Sequence, residues 1–487
     1  MILRINGNIK PYYVQTLLMI FFPGAKFPED EEETPDTVVA SVDMTEDGGY
    51  VSAEVTLRQG EKKAFAATRA SLDGDADKKR KIAVGEAFMK AGGDFTSVTA
   101  PWGILTGVRP AKVASELMRG GCDAKTAAET ISREYFVSPV KSSLAVSVAE
   151  AEARIITDEI RRECSVYIGI PFCPTRCSYC SFVSHSMDSA IKLMPQYVEA
   201  LCRELEIIGK MVKETQTSID TIYFGGGTPT SISASDLRTI MECVEKNFDL
   251  SAIREYSVEA GRPDTITEEK LRVIKELGAD RISVNPQTLN DDVLRVIGRK
   301  HSGSDAIKAF ELARKIGFDN INTDLIAGLP TESAESFRNT LDKITELSPE
   351  SITVHTLTIK RSADLFKNGS ANSNNPAAEM VDYSIEKLMN CGYLPYYMYR
   401  QKNTVDNLEN VGYAKSGFES FYNIFIMDET QTILGAGCAA STKLVYPNGL
   451  INRIHNYKFP YEYISSFDKL MEKKTEAEKC LRILKNK

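Results

Sequence analysis

The sequence predicts an α/β protein whose centre is a barrel, or an open barrel, of six βα units. Three observations support this prediction. Short β-branched apolar runs alternate with stretches of helical periodicity between Cys164 and about His355. Glycine, proline or polar turns separate these segments. Strands that alternate with helices lie parallel and need right-handed crossovers, so the sheet curls, and functional residues gather at the carboxyl ends of its strands.

The individual elements follow from the pattern of apolar residues. The six predicted strands are Val166–Ile170, Thr221–Phe224, Glu255–Val258, Arg281–Val284, Asn322–Ile326 and Ser351–Val354. Each helix between them carries apolar residues at three- and four-residue spacing. The five predicted helices are Gln196–Val212, Ala234–Asn247, Glu268–Leu277, Asp305–Ile316 and Glu335–Leu347.

The segments on either side of the barrel have different patterns. Residues 1–150 predict a small α+β domain whose role the sequence does not indicate, with strands and helices at 37–43, 50–59, 79–92 and 111–118. Its single tryptophan, Trp102, is expected to fill a core position under a loop. Residues 368–376 are rich in Asn and Ser, which predicts an exposed linker. Residues 376–487 then form a C-terminal α/β extension that we expect to cover the substrate.

Charge and hydropathy exclude several classes of function. The 487 residues carry 59 basic and 67 acidic side chains, a net charge of -8, so no global positive field attracts nucleic acid or an anionic membrane. The longest dense apolar run, Leu17–Phe22, is far shorter than the roughly 20 residues that span a bilayer. Residues 11–22 predict an amphipathic helix rather than a signal peptide. We therefore expect a cytoplasmic protein with neither a nucleic acid nor a membrane partner.

The ten cysteines divide into a cluster and a scattered set. Seven lie singly among apolar or helical neighbours and are expected to be small buried hydrophobes: Cys122, Cys164, Cys202, Cys243, Cys391, Cys438 and Cys480. A secreted protein would be expected to pair such residues in disulfides. The distribution therefore favours a reducing cytosol and a metal site at the clustered cysteines.

The clustered cysteines, Cys173-x3-Cys177-x2-Cys180, directly follow the first predicted strand of the barrel. Three thiolates in one loop can ligate three irons of a [4Fe-4S] cluster and leave the fourth iron for a non-protein ligand. Two alternatives remain open, a zinc site with His185 as fourth ligand and a structural cluster completed by a remote cysteine. A substrate can reach this loop at the strand-end face of the barrel, which favours the open cluster.

Two further sets of residues lie at strand ends. Gly225-Gly-Gly227-Thr228 follows the second strand, where glycines allow backbone N–H groups to approach a ligand closely. A nucleotide-phosphate loop is disfavoured because the segment has neither the lysine of a Walker loop nor the G-x-G-x-x-G spacing between strand and helix. The polar residues Glu259, Asn285, Gln287, Arg299 and Asp324 lie within or after the third, fourth and fifth strands. Singly they are typical hydrogen-bonded rim residues, but together they indicate one face.

These motifs together resemble the radical S-adenosylmethionine (SAM) superfamily, in its oxygen-independent coproporphyrinogen III oxidase/dehydrogenase branch. The resemblance covers residues 164–360 in detail and implies a partial (βα)6 barrel over 164–365 with Cys173, Cys177 and Cys180 on the cluster. It implies that SAM chelates the open iron and that an electron from the cluster cleaves it to a 5'-deoxyadenosyl radical. The SAM contacts implied by the resemblance are Tyr167, Tyr179, Gly226, Gly227, Thr228, Glu259, Gln287, Arg299 and Asp324, with Thr358 a weaker match.

By the same resemblance the reaction is oxidative decarboxylation of two coproporphyrinogen III propionates to vinyl groups in haem biosynthesis. An electron donor such as a flavodoxin or a ferredoxin is implied. Phe182 stands where the oxidases carry a fourth cysteine, a departure shared with haem-carrying chaperones and tetrapyrrole-cleaving relatives. The alternatives are thus a haem chaperone, with His355 or His455 as iron ligand, or a radical SAM enzyme acting on haem or another substrate. A tetrapyrrole carboxylate clamp is expected among Arg361, Arg400, Lys402 and Arg453.

Overall fold

A computed structural model describes residues 1–182, 184–187, 191–358, 375–401 and 404–485. The chain forms two compact units. The first consists of Met1–Glu150 and Met398–Glu409, and the second of Ala151–Tyr397 and Asn410–Lys487. Most of the predicted C-terminal extension thus lies in the same unit as the βα repeats. The roles expected for the N-terminal domain and for this extension stay predictions.

The first unit is a four-stranded sheet with helices. Strand β1 is parallel to β2, whereas β2–β3 and β3–β4 are antiparallel, as their short connections require. Alternate residues of β3 are buried, and helix α2 packs against β3 and β4. The strands are β1 (Ile2–Asn6), β2 (Val39–Asp47), β3 (Tyr50–Gln59) and β4 (Lys62–Ser71). The helices that begin here are α1 (Pro11–Phe21), α2 (Ala76–Thr96), α3 (Ala111–Arg119), α4 (Ala124–Tyr135) and α5 (Pro139–Ile155).

The core position predicted for Trp102 is confirmed, since 2% of its surface is exposed. Its indole Nε1 donates to Glu409 Oε2 at 2.6 Å, and the other carboxylate oxygen lies 2.7 Å from the Lys141 ammonium. All three side chains are buried, so the ion pair is shielded from solvent. This contact fastens the Met398–Glu409 segment to the rest of the first unit.

The second unit contains the predicted parallel sheet. Six neighbouring parallel strands run in the order β12-β11-β10-β9-β8-β5, which is the succession of the six βα units along the chain and confirms the partial barrel. They are β5 (Cys164–Ile170), β8 (Ile219–Gly226), β9 (Glu255–Glu259), β10 (Arg281–Ser283), β11 (Ile321–Ala327) and β12 (Ser351–Thr356). Two short strands, β6 (Phe172–Cys173) and β7 (His185–Ser186), pair with each other in the cysteine loop.

Later segments extend this sheet at both edges. Strand β14 joins β12 antiparallel and is followed by β13, whereas β15 joins β5 parallel and continues into β16 and β17. The polypeptide after the sixth βα unit therefore adds strands to both edges of the parallel sheet. These strands are β13 (Leu394–Arg400), β14 (Glu409–Ala414), β15 (Thr432–Ala436), β16 (Ser441–Val445) and β17 (Ile451–His455).

The helices of the second unit begin where their caps predict. Side-chain oxygens of Ser233, Thr267, Ser302 and Ser333 each accept a hydrogen bond from the backbone three residues on. Within the described ranges, every helix is either too short or too polar to span a lipid bilayer. The helices are α6 (Met194–Thr215), α7 (Ala234–Asn247), α8 (Glu268–Glu276), α9 (Asp291–Val296), α10 (Gly303–Ile316), α11 (Ala334–Leu347), α12 (Ala377–Asn390), α13 (Phe421–Asp428), α14 (Pro460–Ser465) and α15 (Phe467–Lys485).

Candidate functional site

The three clustered cysteines lie in the loop that follows β5, at the carboxyl end of the parallel sheet. The loop is held from two sides: Ser178 N–H donates to the Ile297 carbonyl at 3.1 Å, and Cys173 Sγ lies 3.4 Å from Thr228 Oγ1. Burial raises the pKa of both Cys173 and Cys180, so binding iron must displace their protons. The contact with Thr228 joins the cysteine loop to the glycine turn.

A buried arginine stands behind the cysteines, and the sequence analysis did not identify it. Arg262 Nη1 is 3.8 Å from Cys177 Sγ and donates to the Thr175 carbonyl at 3.0 Å, while Nη2 pairs with Asp264 at 2.8 Å. Only 3% of Arg262 is exposed. Arg262 thus places a buried positive charge directly beside the cysteine loop. The clue available in the sequence was its position three residues after the third strand.

The glycine turn after β8 has a steric reason for its composition. Gly226 has φ of +110°, and a Cβ on Gly227 would lie 2.6 Å from the Phe172 carbonyl oxygen. Because glycine has no Cβ, the backbone of the turn can come close to the neighbouring chain. Gly227 N–H donates to the Ile170 carbonyl and Thr228 N–H donates to the Phe172 carbonyl, both at 2.8 Å. The turn therefore packs directly against the backbone that carries Cys173.

Three near-parallel tyrosine rings cluster beside the first two strands of the barrel. The Tyr223 and Tyr422 ring centroids are 4.3 Å apart, and the Tyr167 centroid lies 6.3 Å from each of them. Its hydroxyl donates to Glu259 Oε1 at 2.5 Å. Burial raises the pKa of Glu259 to about 7, and the nearby Asp324 carboxylate adds to the increase, whereas the Tyr223 hydrogen bond opposes it. Glu259 is thus a carboxyl group that changes its charge near neutral pH.

The second carboxyl group of the site behaves in the opposite way. Although burial disfavours its charge, Asp324 has a lowered pKa because His355, Asn322 and Thr353 stabilise the carboxylate. His355 Nε2 is 3.7 Å from Asp324, and Asn322 Nδ2 donates to it at 2.7 Å. The structure therefore places His355 beside Asp324, and the pKa values of the two partly buried carboxyl groups are shifted in opposite directions.

Asn285, after the fourth strand, connects three of the predicted contact residues. Its Oδ1 accepts from Asp324 N–H at 3.2 Å, and its carbonyl accepts from Arg299 Nη1 at 3.1 Å and from Gln287 Nε2 at 3.4 Å. Gln287 is buried with φ of +71°, a conformation that non-glycine residues rarely adopt. Backbone bonds of Gln287 to β11 maintain this conformation, which is typical of residues at functional sites.

Arg299 joins this group to the cysteine loop. Its Nη2 donates to the Tyr179 hydroxyl at 3.1 Å and its Nη1 also contacts the Gly261 carbonyl at 3.3 Å. The remaining donor, Nε, is buried and has no hydrogen-bond partner within the described part of the chain. Buried donors are nearly always paired, so this atom indicates that an acceptor such as a ligand carboxylate or hydroxyl belongs here.

A cavity of about 210 Å³ opens between the loop that follows β5 and the glycine turn. Tyr167 and Gly226 belong to its wall, together with Cys438 and Ala439 from the turn after β15. Phe182 also lines it, although 68% of this side chain is exposed to solvent. A large exposed apolar side chain at a cavity mouth is a typical ligand contact.

The donor set fits a cluster better than a single metal ion. Among the described residues, no group of three or more His, Cys, Asp or Glu side chains converges as one metal ion requires, whereas a [4Fe-4S] cluster binds each thiolate through a different iron. The His185 ring instead packs on Phe459, and its Nε2 lies 3.2 Å from the Lys458 carbonyl oxygen. The zinc alternative with His185 as ligand therefore finds no support here.

Of the four residues proposed for a carboxylate clamp, the structure describes Arg400 and Arg453. Arg400 belongs to the first unit, where its buried guanidinium donates to the carbonyls of Asn407 and Leu105. Arg453 pairs with Glu429 on the surface. Arg361 and Lys402 lie outside the described residues. The weaker match, Thr358, donates to the Thr356 carbonyl at 3.3 Å.

Comparison with known proteins establishes the family to which this chain belongs. A family model described as the radical SAM superfamily matches residues 167–344. The oxygen-independent coproporphyrinogen-III oxidase-like protein HemZ of Bacillus subtilis is 36% identical over 472 residues, which cover 95% of this chain and 94% of HemZ. The chain belongs to the radical SAM superfamily. Its cofactors are therefore a [4Fe-4S] cluster and SAM, as predicted from the cysteine spacing and the resemblance.

Within this superfamily the chain belongs to the group of HemZ, HemN and HemW. The heme chaperone HemW of Bacillus subtilis is 33% identical over 280 residues, covering 56% of this chain and 69% of HemW. The structure of coproporphyrinogen III oxidase (HemN) from Escherichia coli superimposes with a TM-score of 0.51 at 24% identity, covering 66% of this chain and 71% of HemN. The likeness to HemN concerns the fold, which is the partial barrel described above.

Proposed function

We propose that this radical SAM enzyme catalyses the oxygen-independent decarboxylation of coproporphyrinogen III propionates to vinyl groups, giving protoporphyrinogen IX. The observation that carries the proposal is the likeness to the coproporphyrinogen-III oxidase-like HemZ, which extends over 95% of the chain, whereas HemW matches 56%. The proposed setting is cytoplasmic haem biosynthesis, with a flavodoxin or a ferredoxin as electron donor.

The residues around the cavity are suited to hold the two cofactors. We assign Cys173, Cys177 and Cys180 to three irons of the cluster, with the Arg262 guanidinium 3.8 Å from Cys177 Sγ. The proposed SAM contacts are a tyrosine of the stack, the tyrosine bonded to Arg299, the glycine turn and the polar residues at the strand ends. They are Tyr167, Tyr179, Gly226, Gly227, Thr228, Glu259, Gln287, Arg299 and Asp324.

When bound, SAM and the reduced cluster would supply the 5'-deoxyadenosyl radical chemistry by which hydrogen is taken from the propionate. The protein contributes position and exclusion of water rather than acid–base catalysis. The tyrosine stack offers hydroxyls that burial keeps protonated, and Glu259 and Asp324 offer two carboxyl groups for a cationic ligand. Phe182 offers an apolar face to a planar macrocycle. The substrate loses carbon dioxide and one electron, which an external acceptor takes.

A haem chaperone is the second candidate function. Two observations favour it: the match to HemW, and the exposed Phe182 at the position where the oxidase branch carries a cysteine. A protein of this kind would retain haem without consuming SAM. His355 is engaged with Asp324, so the pair would have to open for the imidazole to ligate a haem iron.

The deciding experiment is an anaerobic incubation of reconstituted protein with SAM, a strong reductant and coproporphyrinogen III. We expect 5'-deoxyadenosine to form only with substrate, together with mono- and divinyl products resolved by chromatography. Cys177→Ala is expected to abolish both, whereas Cys391→Ala, at an exposed cysteine outside the loop, is a matched control that keeps both. Haem that stays bound through gel filtration without any 5'-deoxyadenosine would contradict the enzyme and support the chaperone.

A further inference from the structure

Two cysteines outside the cluster loop meet on neighbouring helices. Cys202 lies on α6 and Cys243 on α7. Both pack against the hydrophobic core but are partly exposed, so the burial expected of them is only partial. Cys243 Sγ lies 3.5 Å from the Cys202 carbonyl oxygen, and the two thiols are close enough to influence each other's ionisation. The two residues are 41 positions apart in the sequence, so the contact depends on the packing of the helices.

The helices are close enough for these side chains to join. A Cβ added to Gly209 of α6 would lie 2.8 Å from the Cβ of Asn247 on α7, which means that the two helix backbones pass at contact distance. A disulfide needs Cα atoms roughly 4.4–6.8 Å apart. The contact between Cys243 Sγ and the Cys202 backbone brings the two cysteines to the same part of this helix interface.

The two thiols differ in reactivity. The neighbouring Cys202 thiol and the Asn247 amide, whose Nδ2 is 3.5 Å from Cys243 Sγ, lower the pKa of Cys243. Lys246 acts in the same direction, whereas burial and Glu206 oppose the decrease. The interaction with Cys243 raises the pKa of Cys202. Cys243 is therefore the better nucleophile and Cys202 the natural resolving thiol.

We propose that Cys202 and Cys243 form a redox-active dithiol that small-molecule disulfides oxidise to an intramolecular disulfide. In the first step the Cys243 thiolate attacks glutathione disulfide, the S–S bond of glutathione breaks, and one glutathione thiolate leaves. The Cys202 thiol then attacks the mixed disulfide, loses its proton, and releases the second glutathione. Two cysteine thiols are oxidised, and one glutathione disulfide is reduced to two glutathione molecules.

The disulfide would tie together the helices of the first two βα units. Helix α6 precedes β8 and α7 follows it, and the loops after β5 and β8 carry the cluster cysteines and the glycine turn. Closing a loop of this length removes conformational freedom from the unfolded chain. The oxidised protein is therefore expected to unfold at a higher temperature than the reduced protein, with the same fold.

The test exposes the reconstituted protein to glutathione disulfide under anaerobic conditions, followed by acid quench, alkylation and peptide mass spectrometry. We expect a cross-linked Cys202–Cys243 peptide pair that is two hydrogens lighter than the sum of the reduced peptides. Cys202→Ser should retain glutathione on Cys243. In Cys243→Ser, Cys202 should react at least tenfold more slowly. Cys391→Ser, which removes an exposed cysteine with no role in the pair, is the matched control and should form the cross-link as the wild type does.

Two outcomes would overturn the proposal. One is modification of Cys202 and Cys243 at the same rate as Cys391 with no cross-link between them. The other is a cross-link that forms only after denaturation. Iron content and cluster absorbance of every variant identify a protein that has failed to fold, and alanine variants at both positions provide a second set. Because the dithiol does not depend on turnover, its failure is distinct from failure of the proposed enzymatic function.

Discussion

Replacing Tyr223 by phenylalanine is expected to move the pH range in which SAM binds. The Tyr223 hydroxyl donates to Glu259 at 2.5 Å, and burial raises the pKa of that carboxyl to about 7. The hydrogen bond stabilises the carboxylate, so its loss favours the neutral acid and raises the pKa of Glu259 further. We propose that Glu259 contacts the amino group of SAM, an interaction that requires the carboxylate.

The size of the effect follows from the hydrogen bond. A hydrogen bond to a charged group contributes about 1.5–3 kcal/mol, which corresponds to roughly a ten- to hundredfold shift toward the protonated acid. In the wild type, SAM affinity should rise as pH increases through about 7, the pKa of Glu259. In Tyr223→Phe the increase should occur at higher pH. Binding at neutral pH should be weaker by about tenfold, and the two affinities should converge in alkaline solution, where both carboxyl groups are ionised.

The assay is equilibrium dialysis of SAM against anaerobically reconstituted protein across this pH range. Tyr422→Phe is the matched control, because its ring stacks on Tyr223 with centroids 4.3 Å apart and the substitution leaves the Tyr223–Glu259 bond in place. Its pH profile should match the wild type. If Tyr223→Phe and Tyr422→Phe have the same profile, Glu259 does not control SAM binding through its charge and the reasoning is wrong.

Three other predictions concern the glycine turn, the buried Lys141–Glu409 ion pair and the exposed Phe182 side chain. Gly227→Ala places a Cβ 2.6 Å from a carbonyl oxygen, so SAM affinity should fall about tenfold or more, with the circular dichroism spectrum unchanged. Lys141→Met removes the ammonium partner of the buried Glu409 and should destabilise the protein by about 3–5 kcal/mol, measured by tryptophan fluorescence in urea; no recovery in Lys141→Met/Glu409→Gln would contradict the charge argument. Phe182→Ala should weaken porphyrin binding while stability changes by less than about 0.5 kcal/mol, and a large stability loss would place its side chain in the core instead.

Local patterns in the sequence were sufficient for the elements of the barrel. The six predicted strands agree with β5 and β8–β12. The helices predicted to begin at Ala234 and Glu268 do begin there, each directly after a capping residue, Ser233 or Thr267. Cys173, Cys177 and Cys180 could be proposed as cluster ligands from the sequence because their spacing within one loop is itself the chemical requirement. The short helix α9 was not predicted, since six residues are too few to establish a helical period.

Contacts between distant residues could not be predicted in the same way. Arg262 lies 85 positions from Cys177, and Tyr422 stacks on Tyr223 from a segment beyond the sixth βα unit. Neither residue belongs to a motif, and each acquires its role only when strands from separate units are placed side by side. Arg400 shows the converse, since its place in the sequence suggested a substrate contact but its guanidinium is buried against backbone carbonyls of the first unit.

The sequence by itself determined the alternation of strands and helices, the three-cysteine loop and the glycine turn, because periodicity, caps and ligand spacing are properties of neighbouring residues. Tertiary structure alone decided the opposite charge behaviour of Glu259 and Asp324, the cation behind Cys177 and the meeting of Cys202 with Cys243. The physical reason is that burial, hydrogen-bond partners and the distance between charges depend on which segments pack together. These quantities are absent from any single stretch of sequence.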